Sequence, residues 1–225
     1  MPVRLEVAGP PGSGKTTIAK GLEDRDPRFR PICPPDWKNP RALPFYVKNG
    51  LVLMPLFAAL SRGRGRRRPN VHEFVWLTLL NGWDRRLGRP SVGPGLAIID
   101  QGPVYMMSML IVHREGELGR PRMSAWLDRA ARRWARALDA VVLLDAPDEV
   151  LARRINTRPD DHIQKGSPDA RVRDFLKVRR AALDRATGLL RSQNDALTVL
   201  RFDTERQAPG EILDKILAAL SPRND

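Results

Sequence analysis

The octapeptide Gly9-Pro10-Pro11-Gly12-Ser13-Gly14-Lys15-Thr16 fits the pattern G-x-x-x-x-G-K-[ST] and follows directly on the apolar run Val3 to Ala8. Glycines at these positions let backbone N–H groups turn inward on a tight loop and close on phosphate oxygens at a helix N-terminus. Gly9, Pro11, Gly12, Ser13, Gly14, Lys15, Thr16 and Thr17 are therefore expected to line a nucleotide phosphate site. Lys15 would reach the β and γ phosphates of ATP, and the Thr16 hydroxyl would hold Mg²⁺. A chance glycine turn is the alternative, and the strand pattern before it and the helix pattern after it both count against that.

A second chemical feature is an acid at the end of a strand pattern. Asp100 closes the apolar run Leu96-Ala97-Ile98-Ile99. Placed beside the phosphate loop, it could bind Mg²⁺ through water or accept the proton of an attacking hydroxyl. It could also merely cap the helix that Pro103 opens. Asp145 ends a similar run, and its Asp-Ala-Pro-Asp context reads as a strand exit into a helix. His72, His113 and His162 are too scattered for a metal site, and Ser13 has no His–Asp pair to activate it as a nucleophile.

The elements that would hold these groups alternate. Val3 to Ala8 is strand-like, a helix runs from Lys15 to about Glu23, and Phe29 to Cys33 reads as a second strand. Helical patterns cover Pro44 to Leu60 and Val71 to Leu87, the latter with Trp76 and Trp83 assigned to the core. Gly-Pro-Gly at 93–95 introduces the strand that ends at Asp100. Two further runs, Ala140 to Leu144 and Leu197 to Phe202, end at Asp145 and Asp203. Unbroken apolar strands separated by helices imply a three-layer α/β fold, a parallel sheet with helices on both faces and ligands at the carboxyl ends of the strands.

The 225 residues suit one domain, 1–225, without a linker or repeat. The single cysteine, Cys33, and the absence of a secretory leader pattern predict a reducing, cytoplasmic setting. Leu51 to Leu60, interrupted by Pro55, is about half the length needed to cross a bilayer and reads as a core-facing helix, with no transmembrane segment expected. A net charge of +13 would concentrate anions of any kind. Its densest cluster, Arg62, Arg64, Arg66, Arg67 and Arg68, lacks interleaved aromatic rings, so it reads as a solvated loop before a nucleic-acid platform.

Several patches resemble the nucleoside-monophosphate and deoxynucleoside kinases, thymidylate kinase in particular. Leu144 to Arg158, followed by Asp161-His162-Ile163-Gln164, looks like the strand, helix and lid of that family. The resemblance implies that Arg154 and Arg158, in a lid at 153–167, close over the transferring phosphoryl group, whose spread charge suits guanidinium forks. Asp84-Arg85 resembles the end of the acceptor-binding helix, which makes Arg85 an acceptor contact within a region at 34–95. Asp36 is similar to the acid that deoxynucleoside kinases place near the acceptor hydroxyl, and it competes with Asp100 for the role of base. Gln101 stands where these kinases carry an arginine, Asn81 falls near their base-stacking aromatic, and Cys33-Pro34-Pro35-Asp36 replaces their Arg-Glu-Pro-Gly, so the acceptor pocket is remodelled. The function implied is transfer of the ATP γ-phosphoryl group to a small acceptor, by a chain that could form a homodimer through its apolar helices. Two alternatives stand beside it: a kinase of a sugar or specialised metabolite, and an ATPase acting on nucleic acid or an anionic surface.

Overall fold

The apolar runs of the sequence become the strands of one sheet. The computed structural model describes residues 3–61, 68–87, 96–159 and 162–220. Strands β1 (Val3–Ala8), β2 (Phe29–Ile32), β3 (Leu96–Ile99), β4 (Ala140–Asp145) and β5 (Thr198–Asp203) pair in the order β2-β3-β1-β4-β5, all parallel. Parallel pairing requires a crossover between strands, and helices supply every one. They are α1 (Lys15–Arg25), α2 (Leu43–Ser61), α3 (Val71–Gly82), α4 (Asp84–Leu87), α5 (Pro103–Leu118), α6 (Pro121–Ala137), α7 (Asp148–Thr157), α8 (Asp169–Arg191) and α9 (Pro209–Leu220).

Alternation along the strands divides the core in two. Val141 and Leu143 of β4 face one layer with Leu110, Trp134 and Leu183, whereas Ala140, Val142 and Leu144 face the other with Ile18, Leu22, Ile212 and Ile216. Helices α2, α3, α5, α6 and α8 thus cover one face and α1 with α9 the other. A satellite cluster of Val150, Leu151, Ile155, Val172 and Leu176 joins α7 to α8. The expected three-layer α/β architecture is what forms.

The single helix expected over Val71 to Leu87 is two, divided at Trp83. Side chains of α6 take the carbonyls that would continue the ladder: Arg133 donates to the oxygens of Leu80 and Asn81 at 3.0 Å, and Trp134 Nε1 donates to Leu80 at 3.0 Å. Trp83 is buried against Trp134, with ring centroids 5.7 Å apart, as a core residue should be. Trp76 is only half-buried, beside His113. Asn81 spends its amide on Asn49 of α2 at 3.1 Å, which removes it from any base-stacking role.

Helix α2 also departs from expectation. It runs for 19 residues, and with the preceding turn at Pro40–Ala42 it is long and apolar enough, by length and composition, to cross a membrane. One side packs Phe45, Tyr46, Leu53, Leu56 and Leu60 into the core, while Leu43, Val47, Leu51, Val52 and Met54 are exposed. The helix is therefore core-facing on one side only. Arg62, Arg64, Arg66 and Arg67, the Gly-Pro-Gly at 93–95 and Asp161 lie outside the described residues.

Candidate active site

Strand β1 delivers the chain to the phosphate loop at the carboxyl edge of the sheet. Gly9 passes so close to β4 that a Cβ there would sit 2.3 Å from the Leu144 carbonyl oxygen, so only glycine fits. Gly12 and Gly14 turn the loop at φ 82° and 86°, backbone that other residues seldom adopt. Gly14 is the N-cap of α1 and brings no side-chain cap, and the first turn of that helix holds no acid. Its leading amides are thus available to an anion. Ser13 is buried in the loop, and its Oγ has no hydrogen-bond partner among the described residues.

Lys15 folds back over the loop and donates to the carbonyls of Gly9 at 3.0 Å and Pro10 at 2.9 Å. Burial above all, and then the positive charges of Arg179 and Arg158, pull its ammonium down to about 8, with Asp100 opposing. Thr16 and Thr17 are exposed at the start of α1. These residues line a cavity of about 600 Å³ with Arg154 and Arg158 on one side and Thr204, Gln207, Pro209 and Ile212 on the other.

Arg154 bridges the two walls. Its Nη1 donates to Thr204 Oγ1 at 2.8 Å and to the Gly12 carbonyl at 3.3 Å, and its Nη2 donates to the Thr204 carbonyl at 3.1 Å. Arg158 closes α7 and lines the cavity, while Arg153 stays on the exposed side of that helix. In the 162–167 turn, burial first and then Arg158, Arg179 and Lys15 lower the His162 imidazole. Four cationic groups, Lys15, Arg154, Arg158 and Arg179, therefore surround the phosphate loop.

Asp100 follows β3 on the exposed edge, and its field reaches Lys15, Cys33 and Tyr105. It does not cap α5. That task falls to Glu6 of β1, whose buried carboxylate accepts from the amides of Val104 at 2.8 Å and Tyr105 at 2.9 Å. Burial raises the Glu6 carboxyl to about 8 against the pull of those two amides. Between Asp100 and the helix, Gln101 is exposed at φ 48°, a non-glycine residue in left-handed backbone. Thr16 and Asp100 are the two side chains of this edge suited to Mg²⁺, which commonly takes one or two protein ligands and completes its shell with phosphates and water.

The remaining assignments divide. Asp36 stands in a turn, accepting from the Lys38 amide at 2.9 Å, next to Tyr46, whose hydroxyl donates to the Pro35 carbonyl. Burial first, and then the charge of Asp36, push the Tyr46 phenol up to about 12. Arg85 is exposed and, among the described residues, makes no hydrogen bond or ion pair with Asp36, Asp100 or Gln101. Its neighbour Arg86 lies with its guanidinium 4.4 Å from the centroid of the Phe45 ring, and its charge is felt at Tyr46. Asp145 is structural, held with Asp148 by Arg180 of α8. Thr204, Gln207, Glu6, Arg86 and Arg179 are contributors that sequence patterns did not single out. Glu6 left one trace, a carboxylate within an otherwise apolar strand.

No family model matches the chain, and no curated protein matches it in sequence. Solved structures do match over nearly its whole length. It is similar to deoxyadenosine kinase from M. mycoides with bound dCTP, at 13% identity and a TM-score of 0.54, covering 97% of this chain and 98% of that one. The same enzyme with bound dATP gives 14% identity and a TM-score of 0.50 over 97% and 99%. Thymidylate kinase from Candida albicans gives 11% identity and a TM-score of 0.55 over 97% and 91%. The chain thus has the P-loop nucleoside and nucleotide kinase fold.

Proposed function

We propose that the protein is an ATP-dependent phosphotransferase that moves the γ-phosphoryl group to a nucleoside, a nucleoside monophosphate or a similarly small acceptor. The observation that carries this is the open N-terminus of α1, uncapped and free of acid, facing Lys15, Arg154 and Arg158 across one cavity. Lys15 leaves the loop carbonyls to take the β and γ phosphates. Arg154, already joined to Thr204, holds the nucleotide between the phosphate loop and the β5 exit, and Arg158 covers the transferring group. Thr16 and Asp100 would hold Mg²⁺, which neutralises charge on the phosphates when bound.

Asp100 closes β3, the strand paired with β1 and its phosphate loop, whereas Asp36 follows the edge strand β2, one strand farther from that loop. This division gives the metal to Asp100 and the acceptor proton to Asp36. The acceptor oxygen forms a bond to the γ phosphorus as the bond to the bridging β–γ oxygen breaks; ADP leaves, and the hydroxyl proton passes to the Asp36 carboxylate. For a phosphate acceptor the attacking oxygen carries no proton, and Asp36 positions instead. Gln101 and Arg85, with Arg86 beside it, would contact the acceptor on that side. A second copy of the chain would cover the exposed apolar side of α2, giving a homodimer, and a reducing cytoplasm suits the lone exposed thiol of Cys33.

The test is a panel of nucleosides, nucleoside monophosphates and sugars incubated with Mg·ATP and read by mass spectrometry. A product heavier by one phosphate, absent with Lys15→Ala, is expected. ATP hydrolysis stimulated by nucleic acid, with no phosphorylated product, would overturn the assignment.

A further inference from the structure

Among the described residues, three arginines partly or wholly withdrawn from water are paired with carboxylates. Arg114 pairs with Glu73 and Glu117, Arg133 with Asp84, and Arg180 with Asp145 and Asp148. Arg179, one residue before Arg180 on α8, has no carboxylate partner among the described residues. It is 6% exposed, its Nη1 rests against the thioether sulfur of Met109, its guanidinium lies 5.9 Å over the Tyr105 ring, and its Nε has no hydrogen-bond partner among the described residues.

A thioether and a ring face are weak compensation for a desolvated guanidinium, so the native fold holds this charge at a cost. Such a charge needs an anion to complete it. Among the described residues no acid stands there, although α8 pairs the very next residue twice. Arg179 stands at the carboxyl edge of the sheet: its neighbour Arg180 holds Asp145 at the end of β4, and Tyr105 beneath it lies in the first turn of α5, its amide on Glu6 of β1, the strand between β3 and β4 that leads into the phosphate loop. On the sheet side, the tip of β3 offers only the neutral Gln101 beyond Asp100.

We infer that Arg179 is a catalytic residue whose guanidinium binds the γ-phosphoryl group of the nucleotide, supplied from α8 and not from the β3 tip. This deepens the phosphotransferase reading and rests on it. The planar fork suits oxygens of a transferring phosphoryl group, on which Arg158 would close from the lid. Because Tyr105 and Met109 fix the side chain beforehand, little further ordering is needed at the moment of transfer.

The test compares affinity for Mg·ATP with that for Mg·ADP by calorimetry at pH 7, which requires no knowledge of the acceptor. Wild type should prefer Mg·ATP. Arg179→Met should weaken Mg·ATP about tenfold or more while changing Mg·ADP less than about twofold, one charge-assisted contact being lost. Its melting temperature should stay level or rise, because an uncompensated charge is removed. Arg179→Lys, which keeps the charge without the fork, should fall between the two. Equal weakening of both nucleotides, no change in either, no preference in wild type, or a melting temperature lowered by more than about 5 °C would overturn the assignment in favour of a structural arginine. If wild type binds neither nucleotide, the phosphotransferase reading itself falls; if it binds both but Arg179→Met leaves the preference intact, only the role of Arg179 does.

Discussion

Nucleotide binding should consume protons, and Lys15 sets how many. Its ammonium titrates near 8 because burial and two guanidinium groups disfavour its charge. About half of the molecules therefore carry a neutral lysine at pH 8, about one in ten are neutral at pH 7 and about nine in ten at pH 9. A triphosphate against the side chain reverses the balance, since an opposite charge within a few ångströms restores the ammonium. Binding Mg·ATP should then take up about half a proton at pH 8 and about a tenth at pH 7, and affinity should fall by up to tenfold per pH unit above 8. Calorimetry in buffers of differing ionisation enthalpy reads the uptake directly. Glu6 titrates in the same range, so the control is Lys15→Arg, which keeps a charge that does not titrate and should bind without uptake. Negligible uptake by wild type at pH 8, or the same uptake by Lys15→Arg, would refute the reasoning.

Glu6 makes its own contribution to the pH dependence of stability. Its folded carboxyl lies near 8 against an ordinary value of 4.5, so its favourable contribution is whole below about 4.5 and is lost as pH rises through 8; thermal melts across that window should show a decline that Glu6→Gln reduces. Arg114→Met, which removes the ion-pair partner of the fully buried Glu73 carboxylate, should cost about 3 to 5 kcal/mol in urea unfolding. Gly9→Ala forces a Cβ against the Leu144 carbonyl and should cost about 1 to 3 kcal/mol while weakening Mg·ATP binding; unchanged stability would mean the loop has room that the structure denies it. Asp100→Asn should raise the magnesium concentration needed for half-maximal turnover by about tenfold, whereas Asp36→Asn should leave that requirement alone and lower turnover with a nucleoside acceptor.

Much of the frame was legible in the chain because its strands are continuous apolar runs. Val3 to Ala8 and the run ending at Asp145 are strands as read, and the phosphate loop joins the first of them to α1 where the glycine pattern places it. The break at Trp83 was not legible: it depends on Arg133 and Trp134, about fifty residues away, reaching carbonyls of α3. The same holds for the capping of α5. A proline at its start and an aspartate nearby point locally to Asp100, but the carboxylate that arrives comes from β1 through the pairing of strands. Arg179 carried no local mark either. Its distinction from Arg180 lies in what each meets across the fold, Met109 and Tyr105 against Asp145 and Asp148.

Glu6 also bears on where the proposed phosphate would dock. Four helices set out from the carboxyl tips of β1, β3, β4 and β5, and each would present a positive dipole to an incoming anion. At three of those thresholds an acidic side chain already stands: the Glu6 carboxyl on the first amides of α5, Asp148 and Glu149 for α7, and Glu211 for α9. Only α1 opens without one. With acids at the other three, the proposed polyphosphate would meet an unopposed helix N-terminus at α1, where Lys15 and Arg154 also converge.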